Sequence, residues 1–534
     1  MNHLPLHEYL RDHARSHPNR AAIIWYGRNI TYGELNRYSD RIAIWLTHQG
    51  VKSGDRVALY LGNCPQYVMA FLGAQKIGAI VTPVSPLFKA WELEYQLQNS
   101  GATVLITENR LFPHWETVRL SVPMARVLVT NYREFLPEHP VLPWPLPDSP
   151  GPSSDDPGVD SWQVLEEING DPPHVTPRLD QVSLMMYTSG STGMPKGAML
   201  TYDNALFKAA AGSEANGATA KDIFLTVMPL SHIAGLLMGL NVPIYLGATQ
   251  VMIHQFDPDT VIAAIEQYHC SFWYSVAPMN RAVLDRLNPD DVRMRSLRHN
   301  LCTSFGIPLT ESLAAEWLVK TKAIIHEAAY GLTETHTADT YMPVHRIRWG
   351  SVGKPIQDTK IRIVDPNTGD NVASGDSGEI WIKNRGVFAG YWNQPEATQK
   401  TLKSGFVATG DMGYLDADGY LYFQGRLKEM IKVSGYSVFP EDVEELLIRH
   451  PAIQQVAVIG KSHPYRGEVV AAFVVLKHGA ALSPEELVDW AKNHMADYKV
   501  PREVFIVPAL PVSATGKVMR RLLKTSSDAD NGGV

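Results

Sequence analysis

The sequence predicts an α/β fold with at least two domains, and three observations support that prediction. The chain has 534 residues, too many for one ordinary hydrophobic core. Residues 57–84 alternate between strand and helix patterns, which is typical of sheets with parallel strands and covering helices. Beyond Arg426 the pattern changes to a compact α+β unit of roughly 110 residues, a normal size for a small domain.

The composition narrows the function classes. Hydrophobic residues make up 45% and charged residues 19% of the chain, so global disorder is not expected. A formal net charge of -7 argues against a nucleic-acid binder, which normally carries a basic face. The three cysteines, Cys64, Cys270 and Cys302, are too far apart for a disulfide framework or a CxxC metal site. A reducing cytoplasm is therefore the expected location.

No membrane-inserting segment is expected. The N-terminus is polar and rich in histidine, without the apolar centre of a signal peptide. The most apolar later stretch, residues 236–253, is interrupted by Asn241 and Pro243 and is too short to span a bilayer.

The first elements follow the α/β pattern. Thr31 and Glu34 predict a capping box, and the helix that they open is expected to stop at Gly50. Residues 57–84 predict a strand–helix–strand unit. Residues 138–177 are rich in Pro, Gly, Ser and Asp and predict a surface excursion without chemistry.

The second half predicts a hairpin and then the small domain. Asp418-Gly419 lies at the centre of residues 411–425 and is a strong hairpin turn signal. A helix is expected to open near Pro440, followed by two strands and by a helix capped at Ser483.

The strongest single feature is YTSGSTGMPKGAML, residues 187–200, which follows a predicted strand. Glycines allow a close backbone approach, hydroxyls donate to anionic oxygens, and a lysine adds positive charge, which suits a polyphosphate. The residues concerned are Thr188, Ser189, Gly190, Ser191, Thr192, Gly193, Lys196 and Gly197. The loop is not a Walker A motif, because Gly197 stands where that motif has Ser or Thr. A plain Ser/Gly-rich turn is the alternative, and the density of these groups disfavours it.

Four motifs in register resemble one family. TSGSTGMPKG (188–197), YGLTET (330–335), the block at 408–436 and PVSATGK (511–517) occur in this order in the adenylate-forming superfamily. That superfamily contains acyl- and aryl-CoA synthetases, peptide-synthetase adenylation domains and beetle luciferases. The resemblance covers about residues 20–525 and is closest to an acyl-CoA synthetase.

The resemblance implies a domain division. Residues 1–425 would form a large, multi-layered domain of mixed sheets and helices that binds ATP and the acyl substrate. Residues 426–534 would form a small α+β lid that carries the catalytic lysine. Lys428 would be the hinge, and Lys432 and Gly435 would face the active site in the thiol step.

The resemblance also implies roles for individual residues. Lys517, Glu334 and Thr188 would be catalytic, and Glu334 would bind Mg2+, which prefers oxygen ligands. Lys517 would bridge the substrate carboxylate and the α-phosphate, where a fixed cation stabilises the transition state. The expected ATP-binding residues are Thr188, Ser189, Gly190, Ser191, Thr192 and Lys196 at the phosphates, Thr333 at the α-phosphate, Tyr330 at adenine, and Asp411 with Arg426 at the ribose.

Each residue taken alone has an ordinary alternative. Asp411 before a hairpin is usually a turn former. Glu334 could be a surface acid, and a lone lysine such as Lys517 is more often solvated than catalytic. The joint occurrence of the motifs favours the catalytic interpretation.

The acyl pocket is expected around MPLSHIAG (228–235), where the resemblance places His232 and Gly235. A core histidine is the alternative for His232. The flanking residues carry no acid, so a substrate without an α-amine is favoured, because a buried unpaired ammonium would be costly.

A second segment, TSFGIPLT (303–310), departs from the family pattern with Phe305, Gly306 and Ile307. Phe305 would either narrow the acyl tunnel or fill core, and both remain open. Ala328 and Ala329 also depart from the usual Gln-Gly. Together with Trp273, Tyr274 and Met279 nearby, these residues favour an apolar pocket for a medium-chain, branched or aromatic acid.

The predicted function is that of an AMP-forming acyl-CoA synthetase of the cytoplasm, such as those of fatty acid metabolism. It would use ATP, Mg2+, coenzyme A and a small-molecule carboxylic acid, without nucleic acid or a transmembrane segment. Transfer to a separate carrier-protein phosphopantetheine, a luciferase-like oxidase and a non-catalytic nucleotide-binding regulator are the alternatives. A homodimer and a monomer are both open.

Overall fold

The computed structural model describes most of the chain. The described residues are 3–122, 124, 126–149, 156–173, 175–188, 194–289, 291–304, 308–433, 436–463, 467–513 and 516–529. Several predicted site residues fall outside these ranges, namely Ser189, Gly190, Ser191, Thr192, Phe305, Gly306, Ile307 and Gly435.

The strands of the described residues are β1 Ala21–Trp25, β2 Arg28–Thr31, β3 Arg56–Tyr60, β4 Ile80–Val84, β5 Val104–Glu108, β6 Arg126–Thr130, β7 Val159–Ser161, β8 Val182–Thr188, β9 Lys196–Thr201, β10 Ile223–Thr226, β11 Thr249–Met252, β12 Phe272–Val276, β13 His299–Thr303, β14 Ile324–Glu327, β15 Thr340–Tyr341, β16 Lys354–Pro355, β17 Lys360–Val364, β18 Gly378–Lys383, β19 Gly390–Tyr391, β20 Leu402–Lys403, β21 Phe406–Leu415, β22 Leu421–Arg426, β23 Ile431–Val433, β24 Tyr436–Val438, β25 Ile453–His463, β26 Gly467–Leu476 and β27 Glu503–Ile506.

The α-helices are α1 Leu6–Ser16, α2 Tyr32–His48, α3 Pro65–Lys76, α4 Ala90–Ser100, α5 Phe112–Val118, α6 Val164–Glu167, α7 Tyr202–Ala215, α8 Ile233–Leu236, α9 Val242–Leu246, α10 Pro258–Tyr268, α11 Ala277–Leu284, α12 Glu311–Thr321, α13 Pro395–Thr401, α14 Pro440–Leu447, α15 Pro484–Lys492 and α16 Arg520–Ala529. A π-helical turn, Leu237–Asn241, joins α8 to α9, and a 3-10 turn spans Thr333–Thr335.

Two large sheets carry most of the N-terminal part. One has the order β19-β9-β8-β4-β3-β5-β6-β7, and the other has the order β14-β13-β12-β10-β11-β1-β2. Strands β8, β4, β3, β5, β6 and β7 run parallel, as do β14 through β1 in the second sheet. In open α/β sheets, ligands bind beyond the carboxyl ends of such strands.

The predicted early elements are confirmed. Helix α2 begins after Thr31, whose hydroxyl accepts a bond from the Glu34 amide at 3.1 Å. The predicted capping box is not reciprocal, because the Glu34 carboxylate accepts from Arg28 at 2.7 Å instead. Strands β3 and β4 flank helix α3 and pair in parallel, as the pattern at 57–84 predicts.

The predicted hairpin is also confirmed. Strands β21 and β22 pair in antiparallel orientation, with Asp411 opposite Arg426. The turn contains Gly419 at φ +80°, a conformation that glycine adopts without strain. The hairpin continues the sheet of β17 and β18 and brings Asp411 to the cleft described below.

The C-terminal elements form a sheet of order β24-β23-β26-β25 with β27 beside β26. One face of this sheet packs against α14 and α15 through a core that includes Val443, Leu447, Val458 and Leu487. The other face packs around Phe473 and Leu523. The predicted α/β fold with a small α+β unit is therefore confirmed. None of the described helices has both the length and the apolarity that crossing a membrane requires.

Candidate active site

A cleft of about 2420 Å³ gathers most of the described residues that the sequence singles out. Its walls come from the ends of β8 and β14, from hairpin β21–β22 and from the C-terminal unit. The predicted site residues that line it are Thr188, Lys196, His232, Tyr330, Thr333, Glu334, Asp411, Arg426, Lys428 and Lys517.

Strands β8 and β9 hold the ends of the phosphate loop. Thr188 is the last residue of β8, and it lies opposite Lys196, the first residue of β9, in an antiparallel pair. Ser189, Gly190, Ser191 and Thr192 lie outside the described residues.

Lys196 is connected to Glu334 through Tyr391. The Lys196 ammonium lies 5.1 Å from the centre of the Tyr391 ring, a distance suitable for a cation–π contact. The Tyr391 hydroxyl donates to Glu334 Oε1 at 2.6 Å. Strand β19 holds Tyr391 in place by pairing with β9 opposite Ala198. Tyr391 was not predicted, because no motif contains it.

The turn that carries Thr333 and Glu334 is followed by three left-handed residues. His336, Thr337 and Ala338 have φ values of +57°, +54° and +48°. This conformation is unfavourable for residues with a Cβ, so the surrounding structure must hold it.

A buried ion pair anchors that strained segment. Lys208 Nζ lies 2.6 Å from Asp339 Oδ1, and both side chains are fully buried. Asn384 donates to the same carboxylate oxygen at 2.7 Å. The Thr335 hydroxyl donates to the other oxygen, which links the ion pair to the turn of Thr333–Thr335. These contacts fix the position of the Glu334 carboxylate in the cleft.

Asp411 lies at the centre of a buried network. Its carboxylate is 3.1 Å from Arg426 Nε and accepts a bond from the Tyr330 hydroxyl at 2.6 Å. Burial raises the pKa of Asp411, and the Arg426 guanidinium opposes this shift. The Tyr330 ring packs against Phe423, with centroids 6.0 Å apart.

Lys517 enters the cleft from the C-terminal unit. Its loop is closed by the Ser513 amide, which donates to the Lys517 carbonyl at 2.8 Å. Lys517 is an exposed residue that lines the open cleft. Burial and the charge of Arg426 lower the pKa of Lys517, while Asp411 and Glu429 oppose the shift.

Arg520 supports the Lys517 loop, and the sequence did not reveal it. Its guanidinium bonds to both oxygens of Glu444, at 2.8 and 2.9 Å, and to Glu441 at 2.8 Å. It also donates to Glu429, which follows Lys428 directly. The cluster ties α14 and α16 to the segment beyond β22. Only side-chain contacts between distant segments define it, so a single sequence carries no signal for it.

His232 lies near Lys517. Burial and the positive charge of Lys517 lower the pKa of His232 to about 4, so its ring is neutral at pH 7. His232 caps α8, and Gly235 follows within that helix. A Cβ on Gly235 would lie 2.1 Å from the Pro229 carbonyl oxygen, so only glycine fits there.

The expected apolar pocket residues divide between two faces of β12. Tyr274 lines the cleft, and its hydroxyl lies 3.2 Å from Thr303 Oγ1. Trp273 points away from the cleft and packs against Trp317, because side chains alternate along a strand. Phe305, Gly306 and Ile307 lie outside the described residues.

The predicted hinge residue Lys428 is exposed and lines the cleft. Lys432 is exposed on β23, outside the set of cleft-lining residues, and its amide donates to Glu468 at 2.8 Å. Gly435 lies outside the described residues.

Glu334 suits a magnesium ion that arrives with a nucleotide. Its carboxylate lines the cleft, and the Tyr391 hydroxyl donates to one of its two oxygens, Oε1. Mg2+ usually keeps one or two protein carboxylates and takes its remaining ligands from phosphates and water. Within the described ranges no cluster of three or more His, Cys, Asp or Glu side chains forms a separate metal site.

Known proteins share both the sequence and the fold. Residues 10–392 match the AMP-binding enzyme family, and residues 442–517 match the AMP-binding enzyme C-terminal domain. The long-chain-fatty-acid–CoA ligase of Bacillus subtilis is 32% identical, over 97% of this chain and 94% of the relative. A feruloyl-CoA synthase of Amycolatopsis is 33% identical, over 95% of this chain and 96% of the relative.

A solved structure agrees with these relatives. ATP-bound MatB from Rhodopseudomonas palustris has a TM-score of 0.85 and 26% identity, over 98% of each chain. The two segments that match the family models include the phosphate loop, the turn of Thr333–Thr335 and the Lys517 loop. The chain belongs to the AMP-binding enzyme family.

Proposed function

We propose that this chain is an AMP-forming carboxylate–CoA ligase. It joins a carboxylic acid to the AMP part of ATP, releases pyrophosphate and then transfers the acyl group to the thiol of coenzyme A. One observation carries the proposal: a single cleft combines Lys196, Asp411 and Lys517, which come from three separate parts of the chain. The CoA ligases of Bacillus subtilis and Amycolatopsis, at 32% and 33% identity, support it.

The first half-reaction needs cations because two anions must meet. A substrate carboxylate oxygen attacks the α-phosphorus, and the bond from that phosphorus to the oxygen of the leaving pyrophosphate breaks. Lys196, with Thr188 beside it, faces the leaving phosphates. Lys517 bridges the carboxylate and the α-phosphate, so its charge stabilises the transition state more than the separated anions.

Asp411 and Arg426 bind the ribose of the nucleotide in this proposal. The Asp411 carboxylate accepts from ribose hydroxyls, and Arg426, 3.1 Å away, orients it and opposes the rise in its pKa that burial causes. Tyr330 lies at adenine and also holds Asp411 through its hydroxyl. Thr333 faces the α-phosphate, and Glu334 would hold Mg2+, which offsets the charge of the triphosphate when bound.

The second half-reaction requires the C-terminal unit to move. The thiol sulfur attacks the acyl carbonyl carbon, the bond to the AMP oxygen breaks, and the thiol proton leaves to solvent. We place the domain boundary at 425/426 and the hinge at Lys428, which is exposed and follows the last residue of β22 by two positions. Rotation there would withdraw Lys517 and bring Lys432 and Gly435 to the cleft.

The acid is medium-chain, branched or aromatic in this proposal. His232 is neutral and lies beside Lys517, at the carboxylate end of the pocket. The pocket wall beyond it includes the aromatic ring of Tyr274 and apolar side chains such as Leu237 and Met238. A cytoplasmic location agrees with three buried, free cysteines. Light scattering would distinguish the homodimer from the monomer.

The test is ATP–pyrophosphate exchange over a broad panel of acids, repeated with coenzyme A to detect thioester. Exchange with medium-chain, branched or aromatic acids, followed by thioester formation, is the expected result. Activation of short polar acids alone would contradict the acid class. Thioester formed only on a carrier protein, or oxygen uptake with supplied adenylate, would contradict coenzyme A as the acceptor.

A further inference from the structure

The cleft contains a carboxyl group to which no adenylation step assigns a role. Glu327 is the last residue of β14 and lines the cleft with a half-buried side chain. Its neighbour on the parallel strand β13 is Cys302, and Ser304 follows that strand. The Ser304 hydroxyl donates to Glu327 Oε2 at 2.6 Å, and the Ser304 amide donates to Oε1 at 3.2 Å.

Glu327 differs from the other buried acids near the cleft. Asp411 pairs with Arg426, Asp339 with Lys208, and Glu441 with Arg520. For Glu327, no charged group of the described residues offsets the burial, and only the two bonds from Ser304 stabilise the anion. Burial therefore raises the pKa of Glu327 to about 7. A carboxyl group without a cation is costly to bury, which suggests a role toward a ligand.

The electrostatic neighbours of Glu327 locate it within the pocket. Its charge raises the pKa of Tyr274 and that of Cys302. Ser304, which bonds to Glu327, directly follows Thr303, whose hydroxyl lies 3.2 Å from that of Tyr274, and all four residues line the cleft.

A carboxylate at that place can accept more hydrogen bonds than it receives. Its two oxygens offer about four acceptor positions, and Ser304 fills one on each oxygen. The surrounding hydroxyls, those of Tyr274 and Thr303, bond to each other. A purely apolar acid would displace water from Glu327 without offering it a hydrogen bond. The lost hydrogen bonds to water would weaken the binding of that acid.

We infer that Glu327 is a specificity-determining residue of the acyl pocket, where it accepts a hydrogen bond from a hydroxyl or amino group on the part of the acid remote from its carboxylate. This inference rests on the proposed function and narrows its substrate class. Among aromatic and medium-chain acids, the preferred ones carry such a donor. An ammonium would gain more than a hydroxyl, because it also neutralises the carboxylate.

The experiment compares acids that differ only in the remote group. The first series is cinnamate, para-hydroxycinnamate and para-aminomethylcinnamate, and the second is octanoate with omega-hydroxyoctanoate. ATP–pyrophosphate exchange gives kcat/KM for each acid with the wild type, Glu327→Met and Glu327→Gln. Methionine keeps the length and removes the acceptor, whereas glutamine keeps an acceptor without charge. Glu116→Gln, on the exposed face of α5, is the matched control.

The wild type should favour the donor-bearing acid in at least one series. Glu327→Met should reduce that preference roughly 10- to 100-fold, the usual value of a hydrogen bond to a charged group. Glu327→Gln should retain part of the preference for a hydroxyl and lose that for an ammonium, while Glu116→Gln should match the wild type.

Two results would overturn the inference. One is a wild type that does not distinguish the acids within either series. The other is a Glu327→Met variant that loses activity equally on every acid, as expected of a merely structural residue. Failure of every acid to support exchange in the wild type is a different result, since it would remove the proposed function itself.

Discussion

At the scale of single residues, the charges in the cleft are set by burial and by one another. Lys517 has a lowered pKa because protein surrounds it and because Arg426 is close. The negative charges of an arriving carboxylate and phosphate would offset both effects. The lowered pKa therefore indicates a place where the Lys517 charge lacks a full set of anionic partners and where anionic substrates would gain from it.

Removal of the Lys517 charge should affect the two half-reactions differently. Lys517→Ala should slow ATP–pyrophosphate exchange roughly 10²- to 10³-fold, the usual cost of losing one fixed group that stabilises developing charge. Thioester formation from supplied acyl-adenylate and coenzyme A should be little changed. Lys492→Ala, an exposed lysine of the same C-terminal unit, is the control. Equal losses in both halves would contradict the assigned role.

Glu327 should also leave a signature in the pH dependence of stability. Its pKa is about 7 in the folded chain against a usual value of 4.5, so the folded state holds this proton over a range where the unfolded state has lost it. The contribution of Glu327 to stability is therefore fully present below pH 4.5 and is lost as the pH rises through 7. The free-energy cost is about 1–3 kcal/mol above that range.

Glu327→Gln removes that titration. Denaturant unfolding of the wild type and the variant, measured from pH 5 to pH 8, should show the variant gaining relative stability as the pH rises. Other titrating groups are common to both proteins and cancel in the difference. A difference that does not change with pH would show that Glu327 is not an uncompensated buried acid.

At the scale of elements, the sequence predicts the helix caps, strand pairs and turns that interactions between neighbouring residues stabilise. The cap of α2 at Thr31, the parallel unit at 57–84 and the hairpin turn at Gly419 each depend on residues that are neighbours in sequence. The left-handed segment after Glu334 has no such signal. His336 and Ala338 adopt positive φ values because contacts from distant elements hold them, and the intrinsic preference of these residues opposes that conformation.

The candidate site divides in the same way. Motif residues such as Lys196, Asp411 and Lys517 could be predicted because they recur at fixed places in a known pattern. Glu327 and Tyr391 could not, since each matters only through a partner far away in sequence. Ala328 and Ala329, which differ from the family's usual Gln-Gly, directly follow Glu327 in sequence. That difference does not predict the chemistry of Glu327.

The left-handed segment should tolerate no added volume at Gly331. A Cβ there would lie 2.5 Å from the Ala338 amide nitrogen and 2.7 Å from the Thr337 carbonyl carbon, both backbone atoms that cannot move aside. Gly331→Ala should destabilise the fold by about 1–3 kcal/mol. It should also raise KM for ATP, because the displaced turn carries Thr333 and Glu334.

A matched glycine provides the control. Gly212 lies within α7, and a Cβ there would contact nothing within 4 Å. Gly212→Ala should leave stability unchanged or increase it by about 0.5–1 kcal/mol, since alanine favours helix. Denaturant unfolding compares the two variants. A Gly331→Ala protein as stable as the wild type would show that the segment is not held as tightly as its contacts indicate.

At the scale of the whole molecule, the cleft depends on how the C-terminal unit meets the rest of the chain. That unit has its own core around Val443, Leu447 and Val458. The Arg520 cluster would move with it in a rotation at the proposed hinge, because Glu429, Glu441 and Glu444 all lie beyond Lys428. A rotation at Lys428 would therefore break neither this core nor the cluster, but it would separate α14 from β22.

The backbone at the proposed hinge should accept a proline in one orientation of the unit. Among the described residues, no backbone bond is donated by the Lys428 amide, whereas Leu427 bonds to Gly410 at 2.9 Å and Glu429 to Arg426 at 2.9 Å. Proline at 428 would fix φ near −65° and leave those two bonds in place. The variant should then fold and form the acyl-adenylate, but its C-terminal unit should rotate more slowly at residue 428.

Lys428→Pro should therefore slow thioester formation from supplied acyl-adenylate roughly tenfold or more, a rise of about 1.4 kcal/mol in the barrier. ATP–pyrophosphate exchange should remain close to the wild-type rate. Lys428→Ala removes the same side chain and keeps the backbone free, so it should behave as the wild type in both assays. If the proline and alanine variants match, the lost side chain and not the hinge explains any effect. If the proline variant loses both half-reactions equally, the proposed rotation at Lys428 is contradicted. A C-terminal unit fixed in one orientation should block only the half-reaction that requires the other orientation.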